Sequence, residues 1–234
     1  MPTLAEQITE ATDRMTDLAD YYQAQRGLID QAVADAIAVA PLTFKTFYVD
    51  QIDGDDANVG DAAAPLKTVE EADRRAQTHG ALTIYLVGDY EFTKVEKLAT
   101  SAIWLRAAVP GSTTIRWAAE IDGVQILPPR IQLDTTCYSL NFANVTIELS
   151  DRSPHVTTNG MIVTTLFTAV FFSNVTFSAI GGDQAVFHAD GGVGIRIRQV
   201  IDANVVAGRW IDGVVTGTDP TEVSILAFTN LASL

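Results

Sequence analysis

A short phrase recurs at a fixed interval along the chain. It reads Phe142-Ala143-Asn144-Val145-Thr146, then Phe172-Ser173-Asn174-Val175-Thr176, then Asp202-Ala203-Asn204-Val205-Val206, so that successive asparagines stand 30 residues apart. Phe228-Thr229-Asn230-Leu231 is a looser echo, and Ile121-Asp122-Gly123-Val124 returns as Ile211-Asp212-Gly213-Val214 after 90 residues, three periods on. A period of this length is the mark of a chain that stacks similar units on one another, each burying its apolar face against the next. Apolar and polar residues alternate on both sides of each Asn, as in strand–turn–strand, and Asn suits the turn because it tolerates a left-handed backbone. The fold class this predicts is mainly β, a short parallel β-solenoid.

Composition narrows the function classes. The chain has 234 residues, 47% hydrophobic and 19% charged, as in folded proteins rather than disordered ones. Its net charge is −14, which opposes binding to nucleic acid or to an anionic membrane surface. No apolar run approaches membrane-spanning length, and the first twenty residues carry too many charges for a secretory signal. Cys137 is the lone cysteine, so no internal disulfide forms, and it reads as a small core residue.

Residues 1–41 predict a helix. Leu4, Ile8, Ala11, Met15, Leu18, Tyr22, Ile29, Ala32, Ala36 and Val39, with Gln25 in the one gap, are separated by alternating steps of four and three. That is a heptad seam. Glu10, Asp13, Asp17 and Asp20 lie opposite it, and Pro41 ends it. So narrow a seam calls for partner helices, through self-association or docking into a larger assembly; the helix folding back on its own domain is the other reading. Gly27 also allows a hairpin broken at its middle. The seam residues expected to carry oligomerisation or attachment are Leu4, Ile8, Met15, Leu18, Tyr22 and Ile29.

Residues 42–82 read as an opening strand (Phe47-Tyr48-Val49-Asp50), an acidic turn-rich stretch and a short amphipathic helix to about Gln77. Thr68 is its expected N-cap, with Glu71 completing a capping box. Asp53, Asp55, Asp56, Asn58 and Asp61 lack the spacing of a calcium loop and read as a polar turn with side chains bonded to nearby backbone. Together, Tyr48-Val49-Asp50, the run Asp53-Gly54-Asp55-Asp56-Ala57-Asn58-Val59-Gly60, Pro65-Leu66-Lys67-Thr68-Val69-Glu70-Glu71-Ala72 and Leu82-Thr83-Ile84-Tyr85-Leu86 resemble the opening of right-handed parallel β-helix proteins of the pectate-lyase-like group. The resemblance covers roughly Phe47 to Leu234 and implies that the short helix caps the first coil of a β-helix over residues 83–234. It says little about activity, since the group holds lyases, hydrolases, tailspikes and non-enzymatic fibres.

Chemistry is hard to find. Glycan cleavage needs carboxylates at a fixed separation. On a 30-residue grid Asp122 aligns with Arg152, Gly182 and Asp212, and neither Asp183 nor Asp190 meets a carboxylate. Asp183 with Asp190 across a turn stays open. His79, His155 and His188 are scattered, and Gly191-Gly192-Val193-Gly194 opens no βαβ unit. No catalytic set, metal site or cofactor is expected. Arg196 and Arg198 alternate with Ile195 and Ile197 and so face outward, to hold an anionic sugar or to pair with acidic neighbours. Trp104, Trp117 and Trp210 offer stacking faces if exposed, and Phe167, Phe171, Phe172 and Phe177 fill the interior or line a subunit interface. The candidate carbohydrate residues are Arg196, Arg198, Trp210 and Asp212. Asn144 and Asn174 sit in N-glycosylation sequons but read as turn residues.

A heptad helix feeding a short β-helix, in an acidic chain, resembles spike or fibre proteins of tailed phages and phage-derived gene transfer agents. That implies a virion location, homo-oligomerisation with a trimer favoured, attachment to another virion protein through residues 1–41, and a β-helix offered to host surface polysaccharide. The sequence favours such a structural role over a polysaccharide-degrading lyase or glycosidase.

Overall fold

The computed structural model describes residues 3–39, 44–77, 80–118, 129–149, 160–164, 168–179, 185–189, 193–201, 210–211, 219–222 and 226–229. The chain divides into two units, Met1–Pro41 and Leu42–Leu234.

The first unit is one helix, α1 (Leu4–Val39). It runs unbroken through Gly27, so the hairpin alternative does not hold; nothing lies within 4 Å of a Cβ placed there. Its start is fixed by a reciprocal pair. The Thr3 hydroxyl accepts from the Glu6 N–H (3.3 Å), and the Glu6 carboxylate accepts from the Thr3 N–H (2.6 Å). This is a capping box that satisfies two otherwise unpaired donors.

The second unit is mainly β. Its strands are β1 (Phe44–Val49), β2 (Ala81–Leu86), β3 (Tyr90–Phe92), β4 (Val95–Leu98), β5 (Ala102–Ala107), β6 (Thr114–Trp117), β7 (Arg130–Leu133), β8 (Ser139–Ala143), β9 (Thr146–Leu149), β10 (Gly160–Thr164), β11 (Thr168–Ala179), β12 (Ala185–Ala189), β13 (Val193–Ile201) and β14 (Leu226–Thr229). Helix α2 (Val69–Ala76) lies between β1 and β2. Among the described residues all the strand pairings are parallel and form three ladders. The first runs β1-β2-β5-β8-β11-β13-β14, the second β3-β6-β9 and the end of β11, and the third β4-β7-β10-β12.

Side chains of one kind stack along each ladder because the strands stay in register. Phe47, Ile84, Leu105, Phe142 and Phe172 make one inward row, all buried. The Phe142 and Phe172 rings stack at 5.6 Å, 9° from parallel. Tyr90, Ile115, Ile147 and Phe177 form a row in the second ladder, and Ile131, Ile162 and Phe187 one in the third. The three inward faces share a single apolar core.

The asparagines do what their spacing implied. Asn144 and Asn174 have φ of 60° and 56°, and the Asn174 amide donates to the Asn144 side-chain oxygen at 2.9 Å. Asn174 divides β11, whose first half pairs β8 and whose second half pairs β9, so the turn passes the chain from ladder one to ladder two. Asn204, Asn230 and both Ile-Asp-Gly-Val phrases, apart from Ile211, lie outside the described residues.

The interval of 30 is local, however. It holds where Ser139 faces Ala169 and Thr146 faces Thr176. Elsewhere Phe44 faces Ala81 (37 residues), Ala81 faces Ala102 (21) and Thr168 faces Val193 (25). Register is kept by the strands, while the connections vary in length. A uniform 30-residue grid therefore does not place the acidic residues, and Asp122, Asp183, Asp190 and Asp212 fall outside the described residues.

A left-handed backbone costs a residue with a Cβ about 1–2 kcal/mol, which Asn offsets by local hydrogen bonding and Ala cannot, so Asn174→Ala is expected to lower unfolding free energy in urea by up to about that amount. Asn174→Gly should stay within a few tenths of a kcal/mol of the wild type.

Candidate functional site

The seam of α1 is open to solvent. Leu4, Ile8, Met15, Leu18, Tyr22 and Ile29 are each more than half exposed, and Tyr21, Leu28 and Val33 beside them are exposed as well. An isolated soluble helix does not gain by presenting a row of large apolar side chains to water. The ion pairs along α1, Arg14–Glu10 (2.5 Å) and Arg26–Asp30 (3.8 Å), are exposed and contribute little to stability.

At the β1 end of the second unit, α2 is anchored by carboxylates. Thr68 is its N-cap, accepting from the Glu71 N–H at 3.1 Å as expected. The other half of the predicted capping box is replaced. Asp56 takes the Thr68 N–H (2.9 Å), while Glu71 is held by Arg74 and Arg75 (2.6 Å each), with the Arg74 bonds foremost in drawing its carboxyl down to about 2. Asp73, on the buried face of α2, accepts the backbone N–H groups of Ala99 and Thr100 at 2.9 and 3.0 Å. The acidic loop works in the same way. Asp50, Asp55 and Asp61 each accept N–H groups two or three residues on, as the polar-turn reading expects. A cleft of about 350 Å³ beside α2 is lined by Asp56, Thr68, Glu70, Glu71, Arg74, Gln77, Lys94 and Lys97. Several of its charges are paired, Lys94 with Glu70 and Arg74 with Glu71.

Behind that cleft lies a group the sequence does not single out. Glu96 on β4 is paired with Ile131 and points into the core, 3% exposed. One oxygen accepts from the Tyr90 hydroxyl at 3.0 Å, and that hydroxyl accepts in turn from the Val69 N–H at the start of α2 (3.1 Å). The other oxygen is buried without a hydrogen-bond partner. Burial, only partly offset by the Tyr90 bond, pushes the Glu96 carboxyl up to about 7.

The outward face of the first ladder is the third feature. Thr46, Thr83, Trp104, Asn141, Phe171 and Arg196 follow one another across six strands, and Tyr48, Tyr85 and Arg106 form a shorter row beside them. The Tyr48 and Tyr85 rings stack at 5.1 Å, Arg106 lies over Tyr85 at 5.9 Å, and Phe44 leans on Trp104 at 6.2 Å. In a chain of net charge −14, the outward positions of β1, β2, β5, β8 and the first half of β11 hold no carboxylate.

The predicted carbohydrate residues separate. Arg196 is exposed, opposite Phe171 in this row. Trp210 is 3% exposed and packs edge-on against Phe172 and Phe177 at 5.8 and 5.5 Å, so it is a core residue and offers no stacking face. Trp117 is buried against Phe92; Trp104 is half-exposed. Asp212 and the Arg198 side chain lie outside the described residues; the register slips between Phe172 and Ser173, opposite Arg198. Phe172 and Phe177 fill the interior, whereas Phe171 is on the outer face. Cys137 is buried, as expected. Among the described residues no group of three or more His, Cys, Asp or Glu side chains converges as a metal site, and no helix is long and apolar enough to cross a membrane.

No family model, curated protein or solved structure matches the chain.

Glu96 makes stability depend on pH. Its folded-state carboxyl holds the proton more tightly than an unfolded one, whose ordinary value is 4.5. That stabilisation is complete below about 4.5 and is lost as pH rises through about 7. The decline amounts to about 3 kcal/mol at one unit per 1.4 kcal/mol. Urea titrations at pH 5 and pH 8 should show it in the wild type, and Glu96→Gln should flatten it.

Proposed function

We propose that the chain is the subunit of an oligomeric structural protein of a phage-like particle, a spike or tail fibre exposed on its tail or head. In this reading α1 joins copies of the chain, with a trimer favoured, and attaches them to another virion protein. Residues 42–82 supply the opening strand, acidic loop and capping helix, and residues 83–234 complete a short right-handed parallel β-helix. The β-helix offers its surface for adhesion to host polysaccharide or for docking another fibre protein.

The observation that carries this reading is the exposed heptad seam of α1, which has a use only when other helices cover it. Three in-register parallel ladders around one core support the β-helix. The acid-free outer row with Trp104, Phe171, Arg106 and Arg196 supports adhesion, since half-exposed aromatic rings and guanidinium groups are suited to sugar faces and carboxylates.

Light-scattering mass in solution is expected to show an oligomer of the full chain and a folded monomer after deletion of residues 1–41. A full-length chain that is monomeric at all concentrations would refute the assembly. Incubation with host surface polysaccharide is expected to leave its length distribution unchanged; shortened chains would establish a degrading enzyme instead.

A further inference from the structure

We infer that copies of α1 associate side by side in parallel and in register, through a surface wider than the heptad seam. The inference rests on the self-association proposed above and adds its direction, its register and its flanking contacts.

Placing the seam residues at the two apolar heptad positions puts Ala5, Gln7, Thr12, Arg14, Ala19, Tyr21, Arg26, Leu28 and Val33 at the two positions that flank it. Of the seven carboxylates of α1, Glu6, Glu10, Asp13, Asp17, Asp20 and Asp30 fall on the remaining, outer positions, and Asp35 near the helix end stands on a border. From Leu4 to Val33 the seam and both its borders therefore carry no negative charge, in a helix with six acidic residues over the same span. This segregation removes like-charge repulsion from the surface that two copies share. It argues for a second copy of this helix as the occupant, because a basic partner would be drawn to the opposite side.

The borders choose the direction. In a parallel pair each residue on one border meets the residue five positions later on the neighbour's opposite border. Leu28 then meets Val33 of the neighbouring copy, and Tyr21 meets Arg26: an apolar contact and a cation over an aromatic ring. Both members of each pair are exposed in the single chain. An antiparallel pair sets like borders together. Leu28 then meets Arg14, Val33 meets Ala19, and Arg26 meets the Arg26 of the other copy. The two large apolar residues lose each other and two cations are opposed. Gln25, the one polar seam residue, also favours the parallel arrangement. In register it lies in a layer of its own copies, where amides bond amides, and a polar residue at one seam position is a known way of fixing register.

Disulfide trapping tests this in the full chain. Cys137 is 2% exposed and burial pushes its thiol up to about 12, so it stays unreactive while an introduced surface thiol oxidises. Ala11→Cys and Ala32→Cys place small residues at small seam positions. In a parallel, in-register assembly each variant alone is expected to form intermolecular disulfides on mild oxidation. In an antiparallel pair Ala11 faces Ala36 of the other copy, and the two thiols introduced by Ala11→Cys lie about 38 Å apart at 1.5 Å per residue. Ala11→Cys mixed with Ala36→Cys would then cross-link while Ala11→Cys alone would not. That outcome overturns the inference and leaves self-association standing. An uncross-linked oligomer in which neither combination reacts overturns it equally. A monomer by mass overturns both readings.

Discussion

Parallel pairing leaves a problem at each end of a ladder, because the outermost strand has a row of backbone N–H and C=O groups with no neighbour to meet them. At β1 the problem is solved by the acidic loop. The Tyr48 N–H donates to the Gly60 carbonyl (2.8 Å), Leu66 N–H to Tyr48 (2.9 Å) and Asp50 N–H to Leu66 (2.8 Å). The loop follows the strand closely enough that side chains are excluded at two points. A Cβ on Gly60, at φ +85°, would come 2.5 Å from the Phe47 ring, and one on Gly54 would come 2.3 Å from the Asp50 carbonyl. The loop is acidic because its own turns need acceptors: Asp50, Asp55, Asp56 and Asp61 commit their carboxylate oxygens to backbone N–H groups. Closing the edge, covering the core with α2 and placing Glu96 against the start of that helix are parts of one construction.

Much of this was legible in the residues, and the failures have physical causes. The alternation of apolar and polar residues reveals long strands such as β5. The asparagine turns were readable because few residues tolerate a left-handed backbone. Strands β3, β4 and β7 carry little such signal because they are three or four residues long and include Glu91, Glu96, Lys97, Arg130 and Gln132, which individually disfavour a strand. The buried Glu96 was unreadable in particular, since nothing local distinguishes it from its exposed neighbour Lys97; only the pairing with Ile131 turns it inward. Trp210, a candidate stacking face only if exposed, is buried. Burial is the commoner state of a Trp, and here it is decided by Phe172 and Phe177, more than thirty residues earlier.

The charge of the chain is distributed rather than diffuse. On α1 from Leu4 to Val33 it is confined to the side away from the seam, and in the loop Asp50, Asp55, Asp56 and Asp61 hold backbone N–H groups. The outer row from Thr46 to Arg196 has none. The two surfaces free of carboxylates, one helical and one on the sheet, are also those with half-exposed or exposed aromatic residues.

The unequal connections between ladder partners bear on how such a chain changes over time. A residue added inside β5 or β8 would turn every later side chain of that strand to the opposite face and break the stacked rows. The same residue added at Pro110–Gly111, an exposed turn between β5 and β6, would touch none of them, and lengthening a loop costs only a few tenths of a kcal/mol. Growth of the protein is thus channelled to its corners. Length can accumulate there while the rows of Phe, Leu and Ile inside remain aligned.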